Sequence, residues 1–341
     1  MEELMPFVQA MLRSGAIGNA DRVASVHVGV KDEEPGRGAR VIDIRMLGGF
    51  SLRVLPDRGL DIGEAWVDGV PVAWTSRVGE SALGNVGDLQ WLLNFGGGLL
   101  VTCGMQNVGP ASEGHGLHGL FSNTPARDVS VARQVDETGV SVRVHGVIVE
   151  GDALEGWLEC DRTITITCGR PSVRWTDRVT NRGPRTVPAP ILYHINIGAP
   201  LWFPGADLRV PSTRVLPRDD ASVALAESWD RAPVPSPEAD EMVVEHVISG
   251  ADAARVVTID NPTVGLRVSV EWDARVLPRL HQWVHCRQGI YALGIEPANC
   301  SVRGRAWDRE KGDLPVLHPG EERVTWVTLA AIRLPATPTS H

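Results

Sequence analysis

The sequence predicts an all-β protein, a large β-sandwich or barrel. Apolar and polar residues alternate over many short stretches, and this two-residue period is typical of strands with one buried face. Turn-forming sequences separate the stretches, and 36 glycines and 24 prolines leave little room for long helices. We therefore expect many antiparallel strands and few helices.

Seven stretches show the alternation most clearly. They cover residues 41–45, 50–55, 141–149, 158–168, 173–179, 266–272 and 323–329. Turn-forming pairs such as Asp68-Gly69 and Asn261-Pro262 stand between them. Each stretch is therefore predicted to be a strand with one face in the core.

One helix and one long loop depart from this pattern. A short helix is predicted over residues 2–13, because apolar side chains recur there at helical spacing: Leu4, Phe7, Val8 and Met11. Residues 214–240 are rich in Pro, Asp, Ala and Ser, and they are predicted to be a long loop. Strand-like sequence flanks this loop on both sides, so residues 1–341 are predicted to form a single domain.

Composition excludes several functional classes. The chain has 341 residues, 43% of them hydrophobic, which is ample for a sizeable core. Its net charge of −9 and the lack of a basic run argue against a nucleic-acid partner. There is no apolar stretch of 18 residues and no signal peptide, so no membrane span is expected. Five scattered cysteines without a C-x-x-C pair indicate a reduced, cytoplasmic protein.

The first candidate site is a glycine-rich loop with two histidines. His115 and His118 are three residues apart within Glu113–Gly119, after the apolar stretch Leu99–Cys103. Histidine suits acid–base work near neutral pH, and a loop held by a sheet is a typical place for it. The alternative is a pair of solvated loop histidines. The glycines at 96–98 match neither a P-loop nor a dinucleotide-binding motif.

Two further candidates follow apolar strands. His194 ends one such stretch, with Asn196 two residues later, and Glu296 stands between Ile295 and Pro297. A carboxyl at the end of an apolar strand is partly desolvated, which raises its pKa toward that of a useful base. The alternatives are a core histidine at 194 and a structural ion pair at 296.

These motifs, in this order, resemble the aldose 1-epimerase (galactose mutarotase) superfamily, and most closely its DUF4432 branch. The resemblance covers roughly residues 20–335. The stretches that carry it are residues 57–62, 97–104 and 124–126, together with Leu117-His118-Gly119, Leu192-Tyr193-His194-Ile195-Asn196 and Gly294-Ile295-Glu296-Pro297.

The resemblance implies a large, twisted antiparallel β-sandwich with a sugar-binding cleft on one sheet. It implies that Glu296 is the general base, His194 the general acid and His118 a sugar-binding residue. Such a division of roles suits mutarotation. Ring opening removes a proton from one oxygen of a hemiacetal while a second proton is delivered to the neighbouring oxygen. The predicted function is thus that of a sugar isomerase, with a small-molecule sugar as its partner and no cofactor.

The sequence also departs from the mutarotases. Their binding arginine has only a weak counterpart in Arg77, and their binding aspartate has no clear match. The remaining candidates for substrate binding are His115, Arg58, Asp61, Arg127, Gln282 and Trp283. Trp283 is a candidate because an indole ring stacks on the apolar face of a pyranose. Arg58 and Asp61 could instead form an ion pair in a turn, and Cys103 and Cys300 are expected to be small buried residues.

Two other functions stay open. One is a different sugar isomerase, assisted by a divalent metal and acting on keto-sugars or sugar acids. Its metal ligands would come from His118, His194, His281 and Glu296, with His285 nearby, although their spacing matches no established metal motif. The other is a carbohydrate-binding protein without catalysis. The sequence is compatible with a monomer or a homodimer.

Overall fold

The structure is a computed structural model that describes residues 4–81, 90–136, 139–151, 153, 156–250 and 252–335. Two large antiparallel sheets pack face to face, and apolar side chains of both form the main core. The predicted all-β sandwich is confirmed. Each of the seven predicted stretches lies in a strand, except that Cys168 follows the end of its strand. Their alternating side chains match the buried and exposed faces of a two-layer sandwich.

Within the described residues, the larger sheet has eleven strands. They are β1 (Ala24–Val30), β2 (Arg40–Met46), β3 (Phe50–Leu55), β4 (Asp61–Val67), β5 (Val70–Pro71), β6 (Leu100–Gly104), β12 (Ile191–Gly198), β14 (Arg214–Pro217), β15 (Glu241–Val247), β18 (Arg279–His285) and β19 (Ala292–Ala298). Their order is β1-β2-β3-β4-β6-β12-β19-β18-β15-β14, with β5 paired to β4. Strands β12 and β19 are therefore interior strands of this sheet.

The smaller sheet has eight strands in the described part of the chain. They are β7 (Arg127–Asp136), β8 (Gly139–Gly151), β9 (Trp157–Thr167), β10 (Arg170–Asn181), β13 (Asp207–Arg209), β16 (Ala254–Asn261), β17 (Leu266–Asp273) and β21 (Glu322–Arg333). Their order is β13-β16-β17-β21-β10-β9-β8-β7. A separate pair joins β11 (Val187–Pro188) to β20 (Val316–Leu317).

The described helices are short. They are α1 (Leu4–Arg13), α2 (Gln90–Leu93), α3 (Asp220–Leu225) and α4 (Arg305–Lys311), with 3₁₀ turns at Ala20–Arg22, Phe121–Asn123 and Ala226–Ser228. None of these helices has the length and apolar content needed to cross a bilayer.

The predicted N-terminal helix corresponds to α1, with residues 1–3 outside the described residues. Val8 is buried and Met11 packs against the core, whereas Phe7 is 60% exposed.

The loop predicted over residues 214–240 is more regular than expected. It contains β14, α3 and a 3₁₀ turn. Helix α3 begins after Asp219, whose side chain accepts a hydrogen bond from the Ser222 backbone N–H at 3.0 Å. Elements of four to six residues are too short to show a hydrophobic period, which is why the sequence pattern missed them.

A buried ionic network joins the two sheets beneath β6 and β12. The guanidinium of Arg162, on β9, donates two hydrogen bonds to Asp177 (2.8 and 2.7 Å) and one to Asp61 (2.7 Å). It also donates to the Thr102 hydroxyl at 2.9 Å, and the Tyr193 hydroxyl donates to Asp177 at 2.7 Å. Thr102 and Tyr193 lie on β6 and β12, so the network connects those strands to the smaller sheet.

Candidate active site

Three neighbouring strands place three of the predicted residues on one face of the larger sheet. Ile195 of β12 pairs with Ile295 of β19, which puts His194 beside Glu296. Trp283 of β18 lies on the same face, with its ring centroid 5.4 Å from that of His194. The opposite side chains, such as those of Ile195 and Ile295, enter the core between the sheets. Strand alternation therefore separates the core residues from the candidate site residues.

Glu296 and His194 are in direct contact. The carboxyl atom Oε1 of Glu296 lies 3.1 Å from Nε2 of His194, and both residues are buried. The contact does not have the geometry of a ring N–H hydrogen bond. Within the described chain, Glu296 Oε1 has no hydrogen-bond partner. Buried polar atoms without partners are unusual in folded proteins, and a ligand is one explanation for them.

Burial shifts both ionisation equilibria toward the uncharged forms. Desolvation raises the pKa of Glu296 to about 8, against a smaller opposing effect of Arg218. Desolvation also lowers the pKa of His194 to about 3, with His118 adding to the effect. At neutral pH the pair therefore holds one proton, which resides on Glu296.

Gly294 makes room for this pair. A Cβ atom at position 294 would lie 2.7 Å from Glu296 Oε1 and 3.0 Å from His194 Cε1. A side chain at that position would displace the carboxyl or the ring. The lack of a side chain at position 294 thus leaves room for both groups beside β18.

His118 approaches the pair from the glycine-rich loop. Its ring centroid is 6.5 Å from that of His194, and its Nδ1 accepts a hydrogen bond from the Gly109 backbone N–H at 3.3 Å. The ring proton is therefore on Nε2, which can donate to a ligand. Burial, with a smaller contribution from the Arg218 charge, lowers the pKa of His118 to about 4. The imidazole is neutral at physiological pH.

An ionic cluster holds that loop against α4. The Glu113 carboxylate accepts hydrogen bonds from Arg305 at 2.8 Å and from Arg309 at 2.9 Å. The amide of Asn107 donates to the carbonyls of Pro110 and Gly116, each at 2.9 Å. These contacts fix the part of the loop that precedes His118.

The three residues line a cleft with a volume of about 920 Å³. Aromatic side chains form much of its surface: Trp74, Trp91, Phe95, Trp283 and Trp307. The ring centroids of Trp74 and Trp283 are 5.9 Å apart, and the Trp74 indole N–H donates to the Ile290 carbonyl. This volume and this lining are typical of small-molecule sites, and flat indole faces suit sugar rings.

A second ionic group in the cleft was not predicted. Arg218 donates hydrogen bonds to Glu241 and to Asp219, each at 2.7 Å. The Trp283 indole N–H also donates to Glu241, at 3.2 Å. Arg218 and Asp219 belong to the segment predicted as a loop, where the sequence carries no motif. Glu241 lies on the same face of β15 as Val243, and no sequence motif marks it.

The structure brings Arg77, His118, His194, Trp283 and Glu296 to the cleft. It does not bring the other predicted substrate-binding residues there.

Asp61 and Arg58 were predicted to bind substrate or to pair with each other; both lie outside this cleft, and among the described residues they form no ion pair with each other. Asp61 is buried and bonded to Arg162 and Thr102, while Arg58 donates to the Asn94 carbonyl. Both line a separate pocket of about 300 Å³.

Arg127, Gln282 and His115 also lie outside the cleft. Arg127 is exposed at the start of β7, which is an edge strand of the smaller sheet. Gln282 faces the core side of β18 and donates to the Trp229 carbonyl at 2.8 Å. His115 contacts the Gln106 amide oxygen at 3.0 Å. A single sequence does not show whether a polar residue lies on an edge strand of a sheet. It also does not show which face of the sheet its side chain occupies.

The residues named as metal ligands for the alternative isomerase do not come together as a metal site. Among the described residues, no group of three or more His, Cys, Asp or Glu side chains is arranged to hold a metal ion. His281 is buried, and its Nε2 contacts the Cys300 carbonyl at 3.0 Å. His285 does line the cleft, stacked on Trp283. Cys103 and Cys300 are buried thiols, and burial raises the pKa of each.

The sequence profile of a protein family, described as a domain of unknown function (DUF4432), matches residues 36–331. The chain belongs to the DUF4432 family. The resemblance to the DUF4432 family inferred from the sequence motifs is thereby confirmed. No protein of curated function matches this DUF4432 chain.

Several solved structures share the fold of this DUF4432 protein. A candidate aldose 1-epimerase from Klebsiella pneumoniae has 24% identity and a TM-score of 0.85, over 92% of this chain and 86% of the other. A galactose mutarotase-like protein from Clostridium acetobutylicum has 13% identity and a TM-score of 0.64, over 92% and 100%. Galactose 1-epimerase from Lactobacillus acidophilus has 13% identity and a TM-score of 0.58, over 91% and 99%. At these identities the likeness shows the fold.

Proposed function

We propose that this protein is an isomerase of the aldose 1-epimerase type, which opens and recloses the hemiacetal ring of a sugar. The observation that carries the proposal is the 3.1 Å contact between Glu296 and His194 in an aromatic cleft. The ring oxygen and the anomeric hydroxyl of a hemiacetal are bonded to the same carbon. Two adjacent proton-transfer groups can therefore reach both oxygens at once.

Ring opening uses the single proton held by the pair. Glu296 delivers its proton to the ring oxygen as the bond between that oxygen and the anomeric carbon breaks. His194 takes the proton of the anomeric hydroxyl as its oxygen becomes a carbonyl. After rotation of the aldehyde, the reverse transfers close the ring on either face, giving either anomer.

The directions of the two pKa shifts favour Glu296 as the acid and His194 as the base in ring opening. The family resemblance implied the reverse, with Glu296 as the base and His194 as the acid. Burial keeps Glu296 protonated and His194 neutral before the reaction begins. The opposite order describes ring closure, since the protons have then exchanged places. Both orders require the same total of one proton on the pair.

Binding is assigned to His118 and to the indoles. The Nε2–H of His118 donates to a sugar hydroxyl, and its neutral ring does not compete for the proton of the pair. Trp283 and Trp74 offer apolar ring faces close to His194. The fold shared with galactose 1-epimerase from Lactobacillus acidophilus supports a sugar hemiacetal as the substrate class.

The test is exchange NMR on purified protein with a panel of neutral aldoses, uronates and keto-sugars. Saturation of one anomeric proton is expected to transfer to the other anomer faster with protein than in buffer, for at least one aldose. A new product lost on chelation would favour a metal-assisted isomerase instead. Binding without exchange for every sugar would favour a non-catalytic binding protein.

A further inference from the structure

Two arginines of the described cleft lining are held by groups other than carboxylates. Among the described residues, neither Arg77 nor Arg303 forms an ion pair. Arg77 donates to the carbonyls of Gly289 and Gln288, each at 3.2 Å. Arg303 donates to the Arg218 carbonyl at 2.7 Å, and its guanidinium lies 5.1 Å from the Trp307 ring centroid. Carbonyl groups and an indole orient a guanidinium but leave its net charge in place.

The other charged groups of the described lining carry one more negative charge than positive. Arg218 is bonded to both Asp219 and Glu241, whose carboxylates are stabilised by those bonds. Burial keeps Glu296 uncharged at neutral pH. The three histidines of the cleft have lowered pKa values and are uncharged as well. The described lining therefore carries three guanidiniums against two carboxylates, on a protein whose overall charge is −9.

A glycine makes room for one of the two arginines. Gly289 has a φ of +83°, and a Cβ atom there would lie 2.0 Å from Nη2 of Arg77. Any side chain at position 289 would push the guanidinium out of its place beside the cleft. The position of Arg77 thus depends on Gly289 as well as on the two carbonyl contacts.

We propose that the substrate is an acidic sugar, and that Arg77 and Arg303 bind its oxyanion group. This inference rests on the proposed function, because it names the substrate class of the same cleft. A planar guanidinium donates two parallel hydrogen bonds to a carboxylate or a phosphate. Each of these arginines has N–H groups beyond those used in its carbonyl contacts. Both arginines are exposed, so a ligand in the cleft can reach these N–H groups.

The test compares matched sugars by exchange NMR: glucose, glucuronate and glucose 6-phosphate. Wild-type protein is expected to have a kcat/KM about tenfold or more higher for an acidic sugar than for glucose. The Arg77→Gln, Arg303→Gln double variant should reduce that ratio about tenfold, mainly through KM for the acidic sugar. Gly289→Ala should reduce it in the same direction by displacing Arg77. Whether the uronate or the phosphate is preferred identifies the oxyanion.

The matched control is Arg178→Gln, an exposed arginine on the smaller sheet, which should leave the ratio unchanged. An equal or higher kcat/KM for glucose in wild-type protein would overturn the inference while the proposed function stands. Loss of activity on glucose and glucuronate in equal proportion in the double variant would also overturn it.

If no sugar exchanges, the proposed function fails, and calorimetric titration with glucuronate and glucose decides the inference on its own. Tighter binding of glucuronate that is lost in the double variant supports an acidic ligand. Equal binding of the two sugars contradicts it.

Discussion

Nε2 of His194 and Oε1 of Glu296 lie 3.1 Å apart on neighbouring interior strands, and both residues are almost fully buried. Because burial disfavours charge on either group, they share one proton over a wide pH range. This proton determines how the exchange rate and the free energy of unfolding are expected to depend on pH. It is also the proton transferred in the chemistry proposed for the cleft.

The rate of anomer exchange should depend on the charge of Glu296. With a pKa of about 8, Glu296 loses its proton above that pH while His194 stays neutral, and the pair then holds no proton. We expect kcat/KM to be flat near pH 6–7 and to fall about tenfold per pH unit above pH 8. A rate that rises through pH 8 would show instead that an ionised Glu296 is required.

The same pKa makes the fold less stable as pH rises. Glu296 has an ordinary pKa of 4.5 and a folded-state value of about 8, so between these values the folded protein binds more protons than the unfolded chain. Stability contributed by the protonated form is present below pH 4.5 and is lost progressively up to pH 8.

Glu296→Gln removes this contribution. Urea unfolding should show the variant gaining stability relative to wild type between pH 5 and pH 8, by on the order of a few kcal/mol. Some slope remains in both proteins, because burial raises the pKa of Glu150 to about 8 as well. Identical pH slopes for the two proteins would contradict a buried, protonated Glu296.

His118 and His115 form a natural test pair, since both lie in one loop and one of them lines the cleft. His118→Ala should raise KM about tenfold or more, with a smaller effect on kcat, because it removes a hydrogen bond to the sugar. His115→Ala should change neither parameter by more than about twofold, since its contact is with Gln106. Similar effects of the two variants would indicate that the loop, and not the imidazole at 118, is what matters.

Arg162 is expected to be essential for stability. Arg162→Met leaves the buried carboxylates of Asp177 and Asp61 without their cation, which should cost about 3–5 kcal/mol of unfolding free energy. Arg178→Met breaks only an exposed pair with Glu322, and should cost less than about 1 kcal/mol. Chemical denaturation of both variants measures the difference, and a mild effect of Arg162→Met would mean that the network is replaceable.

The sequence predicts the fold well because the strand signal is local. Alternation along β9 and β10, for example, needs only neighbouring residues to be read. The same rule explains the error at residues 214–240, where β14 and α3 are too short to show a period.

The candidate site, like the fold, could be predicted only where the signal is local in the sequence. His118, His194 and Glu296 stand in short motifs, so a family resemblance could identify them. Asp61 was predicted to bind substrate or to pair with Arg58, whereas the structure bonds it to Arg162, which lies on the other sheet and is distant in sequence. Its buried ion pair could be recognised only once the packing of the two sheets was known.

The most direct measurement is the rate of saturation transfer between the α and β anomers of the best substrate, in wild-type protein and in Glu296→Gln. Glutamine keeps the shape of the side chain but cannot pass on a proton, so the enzymatic rate should fall by about 10²–10⁴-fold. Circular dichroism should show that the variant is folded, and His194→Ala should give a comparable loss. A folded Glu296→Gln protein that exchanges anomers at a rate within about threefold of wild type would contradict the account.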